Sequence, residues 1–121
     1  MKKAFFTILC TVIIICMTSC GKQQELDPVE EIRDGEQKGD RIVEALDTFY
    51  KEFGKYPDRL DILVPIYIPE IPHTLAGEDF TFKEIEGDVY YLSFPVTRKK
   101  LVTTCSYIKR LENWDCSVFF E

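Results

Sequence analysis

Between Arg41 and Phe53 the apolar side chains fall at Ile42, Val43, Leu46, Phe49, Tyr50 and Phe53. Spacing of i, i+1, i+4, i+7, i+8 and i+11 is one face of a 3.6-residue period, and it predicts an amphipathic helix. Gly54 follows as a left-handed terminator, Lys51 and Lys55 sit at the negative end of the macrodipole, and Pro57 forbids continuation. Asp58 stands where it would cap a short helical turn through Arg59–Val64, with Leu60, Leu63 and Val64 turned inward until Pro65 stops it. The segment Ile66–Pro72 holds too many prolines for anything but an extended connector.

Further along, the period changes to that of strands. Phe80 and Phe82, then Tyr90, Tyr91, Leu92 and Phe94, occupy two β-rich runs on either side of the turn-forming trio Glu86-Gly87-Asp88. A second hairpin is predicted from Leu101–Tyr107 and Trp114–Phe120, joined through Ile108–Asn113. Its register sets Cys105 opposite Cys116 and Tyr107 opposite Trp114, all four on one face because strand side chains alternate. The whole reads as an α+β fold: one amphipathic helix plus a short second helix packed on an antiparallel sheet of about four strands.

The start of the chain has a different character. Met1-Lys2-Lys3 precedes an apolar run from Ala4 to Met17, and small residues follow at Thr18-Ser19-Cys20-Gly21. That is the order of a secretory signal, and the run is shorter than the roughly 20 residues of a spanning helix. Met17-Thr18-Ser19-Cys20 resembles the lipobox of bacterial lipoproteins. The resemblance implies that residues 1–19 are removed and that Cys20 becomes an acylated amino terminus, with palmitate among its chains. Two or more chains hold stably to a bilayer. The alternative is an ordinary secretory signal with an incidental cysteine. By the same resemblance, Gly21 after Cys20 implies an outer-membrane address facing the periplasm in a Gram-negative envelope. Residues 20–39 carry many charges and few apolar side chains, which predicts an acidic flexible tether. Helix is expected to begin between Asp34 and Asp40, where Asp34 and Gln37 fit a capping box, leaving 40–121 as the folded domain.

Composition narrows the chemistry. Nine Phe, six Tyr and one Trp within 121 residues are enough to build a core, which excludes global disorder. The net charge is -6, and removing Lys2 and Lys3 leaves 13 basic against 21 acidic residues, a poor balance for nucleic acid. The six glycines form neither a dinucleotide fingerprint nor a Walker loop, so no nucleotide is implied. With a single histidine, His73, zinc spacing is missing, and Ser93 lies in no nucleophile motif. No cofactor and no enzymatic activity are expected. In an exported chain, Cys105 and Cys116 are expected to form a disulfide, two reduced core thiols being the alternative. The acidic run Glu78, Asp79, Glu84, Glu86 and Asp88 reads as solvated strand and turn, with Asp79 and Asp88 as candidate calcium ligands and no other metal expected. Arg98-Lys99-Lys100 is a basic turn, and Tyr67, Tyr90 and Trp114 are candidates for a partner surface.

The stretch from Phe49 through Gly54-Lys55-Tyr56-Pro57 to Leu60, Leu63-Val64-Pro65, Tyr67 and Ile71-Pro72 resembles type IV pilin-like proteins. The likeness is strongest to the major pseudopilin of type II secretion systems. It implies a helix end, Gly-x-Tyr-Pro, a short Leu-rich helix, a proline-bearing loop and then the sheet. The prepilin-peptidase site and its Phe-led helix are replaced here by the lipobox-like leader, and the family's Asp-Pro-Trp-Gly loop is absent near His73–Gly77. The resemblance therefore implies a fold and not filament assembly. The expected function is that of a lipid-anchored envelope protein serving as a protein-interaction or accessory module, linked to a secretion or pilus system. The alternatives are a small-ligand or calcium-binding accessory lipoprotein and a mobile-element lipoprotein that blocks a surface receptor.

Overall fold

The computed structural model of the protein describes residues 26–86, 88–98 and 101–120. The leader, Cys20 and the first part of the expected tether lie outside the described residues, as do Gly87, Lys99 and Lys100.

Helix α1 runs from Pro28 to Phe53. Asp27 caps it, its carboxylate accepting the Val29 N–H at 2.9 Å, and proline sits in the first turn, where its missing N–H costs nothing. At the other end Gly54 adopts φ 71° and donates its N–H to the Tyr50 carbonyl at 2.7 Å, so the glycine terminator is in place. The start is earlier than the Asp34–Asp40 window, and residues 28–39 are helix where a tether was expected. The physical reason lies in Gly35 and Gly39, which are buried together with Glu31, Ile42, Val43, Leu46 and Phe49. This first half of the helix does bury a face, but one of Glu31 and two glycines, with Ile32 half-buried beside them. The apolar surface there is supplied by the sheet, whose Phe94 and Trp114 rings lie against the two glycines.

After α1 comes a single 3-10 turn, Leu60–Leu63, preceded by Arg59 without any side-chain cap, so Asp58 does not take the expected capping role. Leu63 is fully buried, and Leu60 and Val64 pack half-buried on the core. The sheet follows as four antiparallel strands in sequence order, β1 (Thr81–Glu84), β2 (Tyr90–Arg98), β3 (Leu101–Ile108) and β4 (Asn113–Phe120). β1 is short, and Phe80 packs in the core just ahead of it. The first turn closes with the Ile85 N–H on the Val89 carbonyl at 2.8 Å. The β3–β4 register is the predicted one, with Cys105 opposite Cys116 and Tyr107 opposite Trp114. The two cysteine sulfurs lie 2.06 Å apart, at disulfide distance.

Alternation divides the sheet into two faces. Tyr90, Leu92, Phe94 and Val96 of β2, with Thr103, Cys105 and Tyr107 of β3, are buried beneath α1. Each large apolar side chain so buried contributes about 1.5–3 kcal/mol. The opposite face carries Tyr91, Ser93, Ser106, Ile108 and Asp115, which are exposed or half-buried. One layer of helix on one face of a meander is an α+β arrangement.

Candidate functional site

The polar edge of α1 carries Asp40, Glu44, Asp47, Thr48 and Lys51 at i, i+4, i+7, i+8 and i+11, which is one stripe along a helix. The packing of Gly35 and Gly39 on the sheet turns this stripe toward the end of the β3–β4 hairpin. There Lys109 reaches across, its Nζ donating to Asp47 Oδ1 at 2.9 Å and Oδ2 at 3.1 Å, with Glu112 Oε1 at 3.7 Å. Trp114 Nε1 donates to Asp40 Oδ1 at 2.8 Å. Two adjoining hollows result, sharing Asp47 and Lys51. One, of about 510 Å³, lies between Asp40, Glu44 and Glu112 over a floor of Val43 and Tyr107. The other, of about 380 Å³, lies among Tyr50, Tyr56, Asp88 and Lys109.

Behind the hollows is a group of stacked phenols. Tyr90 is fully buried, with Tyr56 edge-on at 4.7 Å and Tyr107 stacked at 6.2 Å between ring centroids. Its hydroxyl has no hydrogen-bond partner among the described residues, a costly condition for a buried polar atom. Burial, reinforced by the Asp47 carboxylate, holds its pKa far above that of a free phenol. Burial also raises Tyr56 and Tyr107, opposed in both by the Lys109 ammonium. For Lys109 burial acts downward, but the hydrogen bond and charge of Asp47 outweigh it and its pKa rises. Tyr50 donates its hydroxyl to Asp88, and this bond to a carboxylate raises its pKa first, with burial second.

The residues singled out from sequence take varied positions. Tyr90 is removed from the candidate partner surface, because it alternates with Leu92 and Phe94 on the inner face and is fully buried. Trp114 is half-buried against α1, and Tyr67 is half-buried with its hydroxyl given to Glu52. Neither stands free as an aromatic patch. Tyr91, the neighbour of Tyr90, is 40% exposed on the outer face. Asp79 lies 2.7 Å from His73 Nδ1, whereas Asp88 serves Tyr50 across the fold. Among the described residues no three of His, Cys, Asp or Glu converge as metal ligands would, so Asp79 and Asp88 are not drawn into one site. The stripe Asp40, Glu44 and Asp47 has helical spacing in the sequence, but that spacing alone does not distinguish the wall of a hollow from a solvated helix face. Its partner Lys109, 62 residues beyond Asp47, had no local signal at all.

Compared with known protein families, with curated proteins and with solved structures, the chain finds no match in any of the three.

Proposed function

We propose that the protein is a lipid-anchored, non-enzymatic envelope module that docks another envelope protein on the open face of its sheet. The observation that carries this reading is the one-sidedness of the sheet. α1 covers the side of Tyr90 and Phe94, and among the described residues nothing layers over Tyr91, Ser93, Ser106 and Ile108. Thr81, Ser93, Ser106 and Asp115 form one cross-strand row of short side chains, which makes that face flat. Tyr91, paired with Ile108 in the next row, offers the kind of aromatic anchor that carries binding energy at interfaces.

The anchor rests on the lipobox-like Met17-Thr18-Ser19-Cys20, and the Cys105–Cys116 pair favours the oxidising compartment to which such a leader delivers a chain. A link to a secretion or pilus system rests on the pseudopilin-like stretch around Gly54–Pro57. Two measurements test the reading. Metabolic labelling with tagged palmitate should mark the chain, and Cys20→Ser should abolish the mark. A photo-crosslinking residue at Tyr91 or Ser106 should give a discrete adduct in the envelope, and one at the exposed helix position Gln37 should give none. Adducts of equal yield from all three positions, or none from the sheet, would remove the docking claim.

A further inference from the structure

The sheet ends in two edge strands, β1 and β4, and they differ. β1 is four residues long and carries Lys83 and Glu84, the short and charged form that discourages pairing with another chain. β4 is eight residues long and contains no proline, glycine or lysine. The Cys105–Cys116 bridge ties its middle to β3 and holds it as a fixed template. Two observations fix the direction of its unpaired backbone groups. The Lys109 N–H donates to the Tyr90 carbonyl, so the odd-numbered residues of β3 face β2 and the even-numbered ones face β4. Through the β3–β4 register, Ser106 and Ile108 then exchange backbone bonds with Asp115 and Asn113. The Cα atoms of Cys105 and Cys116 lie 4.0 Å apart, close to the about 4.5 Å of a pair without backbone bonds and far from the about 5.5 Å of a bonded one. The N–H and C=O of Trp114 and Cys116 therefore point away from the sheet. Among the described residues neither backbone bonds to a turn, a loop or another element.

Charge selects what such an edge accepts. On the helix side Glu36 Oε1 lies 3.8 Å from Cys116 Sγ, Asp40 accepts from Trp114, and Glu44 follows one turn on at an exposed position. Asp115 is exposed on the other side of the strand, and Arg33, one turn before Glu36, is the opposing charge. A second copy brought edge to edge would set these carboxylates against their own kind, which is unfavourable. An added strand lies about 4.8 Å from β4 and alternates its side chains between the two sides. A lysine or arginine on it comes within reach of Glu36 and Asp40 on one side, or of Asp115 on the other, and forms a charge-assisted bond. Residues opposite Trp114 and Cys116 share their face, so the strand's basic positions on the helix side are also those that exchange backbone bonds with β4.

We infer that the open edge of β4 accepts an extended basic peptide segment of another protein. The segment adds as a fifth strand, exchanges backbone hydrogen bonds with Trp114 and Cys116, and sets its basic side chains beside Glu36 and Asp40. This edge is separate from the outer sheet face, and its pairing is independent of docking there and of the lipid anchor.

The test uses the full chain, labelled with nitrogen-15, in non-ionic detergent, and a synthetic octapeptide in which lysine and threonine alternate. In the chain alone, the Trp114 and Cys116 amides should exchange with solvent about tenfold or more faster than the Asp115 amide, which donates to β3. Saturating peptide should slow the first two about tenfold or more and leave Asp115 unchanged. Affinity is read from the anisotropy of a fluorescent label on the peptide. Methylating the lysine backbone nitrogens keeps every charge but removes the donors, and should weaken binding about tenfold or more. Glu36→Gln should weaken the unmodified peptide about fivefold, with the fold retained by circular dichroism. A peptide alternating glutamate and threonine should not bind. Trp114 and Cys116 amides as slow as that of Asp115 in the chain alone would mean that the edge is already covered, and would overturn the inference. Equal affinity for the methylated or the glutamate peptide, no binding at all, or binding that leaves the exchange of both amides unchanged would overturn it too.

Discussion

Replacing Gly35 by alanine sets two effects of opposite sign against each other, and the structure decides between them. Within a helix, glycine to alanine ordinarily stabilises by about 1 kcal/mol through backbone entropy. Here a Cβ on Gly35 would stand 2.3 Å from two carbons of the Phe94 ring and 2.9 Å from a third. Phe94 is 1% exposed and held between Phe80 and Trp114, with centroids at 5.4 and 5.5 Å, so the ring has nowhere to swing. Overpacking of this kind costs about 1–3 kcal/mol, and the tightness of the site places it at the upper end. The net loss is about 2 kcal/mol, or about 8–16 °C in Tm for a domain of this size.

Gly39→Ala meets Trp114 at 2.3 and 2.4 Å, but that ring is half-buried and can give way by loosening its bond to Asp40. A loss of about 1 kcal/mol is expected there. The control is Gln37→Ala, an exposed position between the two, where the change should stay within about 0.5 kcal/mol. Thermal melts followed by circular dichroism at the helix band, on the full chain in detergent, measure all three. If Gly35→Ala and Gly39→Ala raise Tm as an ordinary helical Gly→Ala would, the first half of α1 does not lie on the sheet and the packing argument fails.

Three further outcomes follow from the same structure. Asp27→Ala removes the cap on Val29 and should lower stability by about 1 kcal/mol; no change would mean that the helix does not begin at Pro28. Reducing the Cys105–Cys116 bridge, which spans 11 residues, should lower stability by about 3 kcal/mol through loop entropy, and a Tm insensitive to reductant would contradict it. Alkaline stability should fall above about pH 10. Tyr56, Tyr90, Tyr107 and Lys109 all have folded pKa values raised above the unfolded 10.0 and 10.5, so their contribution is full below those values and is lost as pH rises through the folded ones. The slope is about 1.4 kcal/mol per pH unit for each group that holds its proton only when folded, and Tyr90→Phe should flatten it by about one such step. Tyrosinate absorbance rising with ordinary midpoints while the protein stays folded would show that Tyr90 is not buried.

The parts of this molecule that can be read from the chain are those whose signal lies within a single element or a single turn. The second half of α1 shows its apolar face at helical spacing, and the β3–β4 pairing follows from alternation and turn length, so Cys105 and Cys116 meet as expected. Tyr90, an expected surface residue, is buried because Tyr90, Leu92, Phe94 and Val96 alternate with Tyr91, Ser93 and Pro95, a pattern that puts the former set on the inner face. The first half of α1 is different: its inner face holds Glu31, Gly35 and Gly39 with Ile32 as the apolar residue packed on the core, so hydrophobic periodicity has little to register there. The two glycines fit two rings of the sheet, and the seating of α1 that this allows brings Asp40 to Trp114 and Asp47 to Lys109. A side chain large enough to advertise the contact would have met Phe94 or Trp114 and held the helix off the sheet. The contact that seats the first half of α1 is thus made by the residue type that leaves no apolar signal in the sequence.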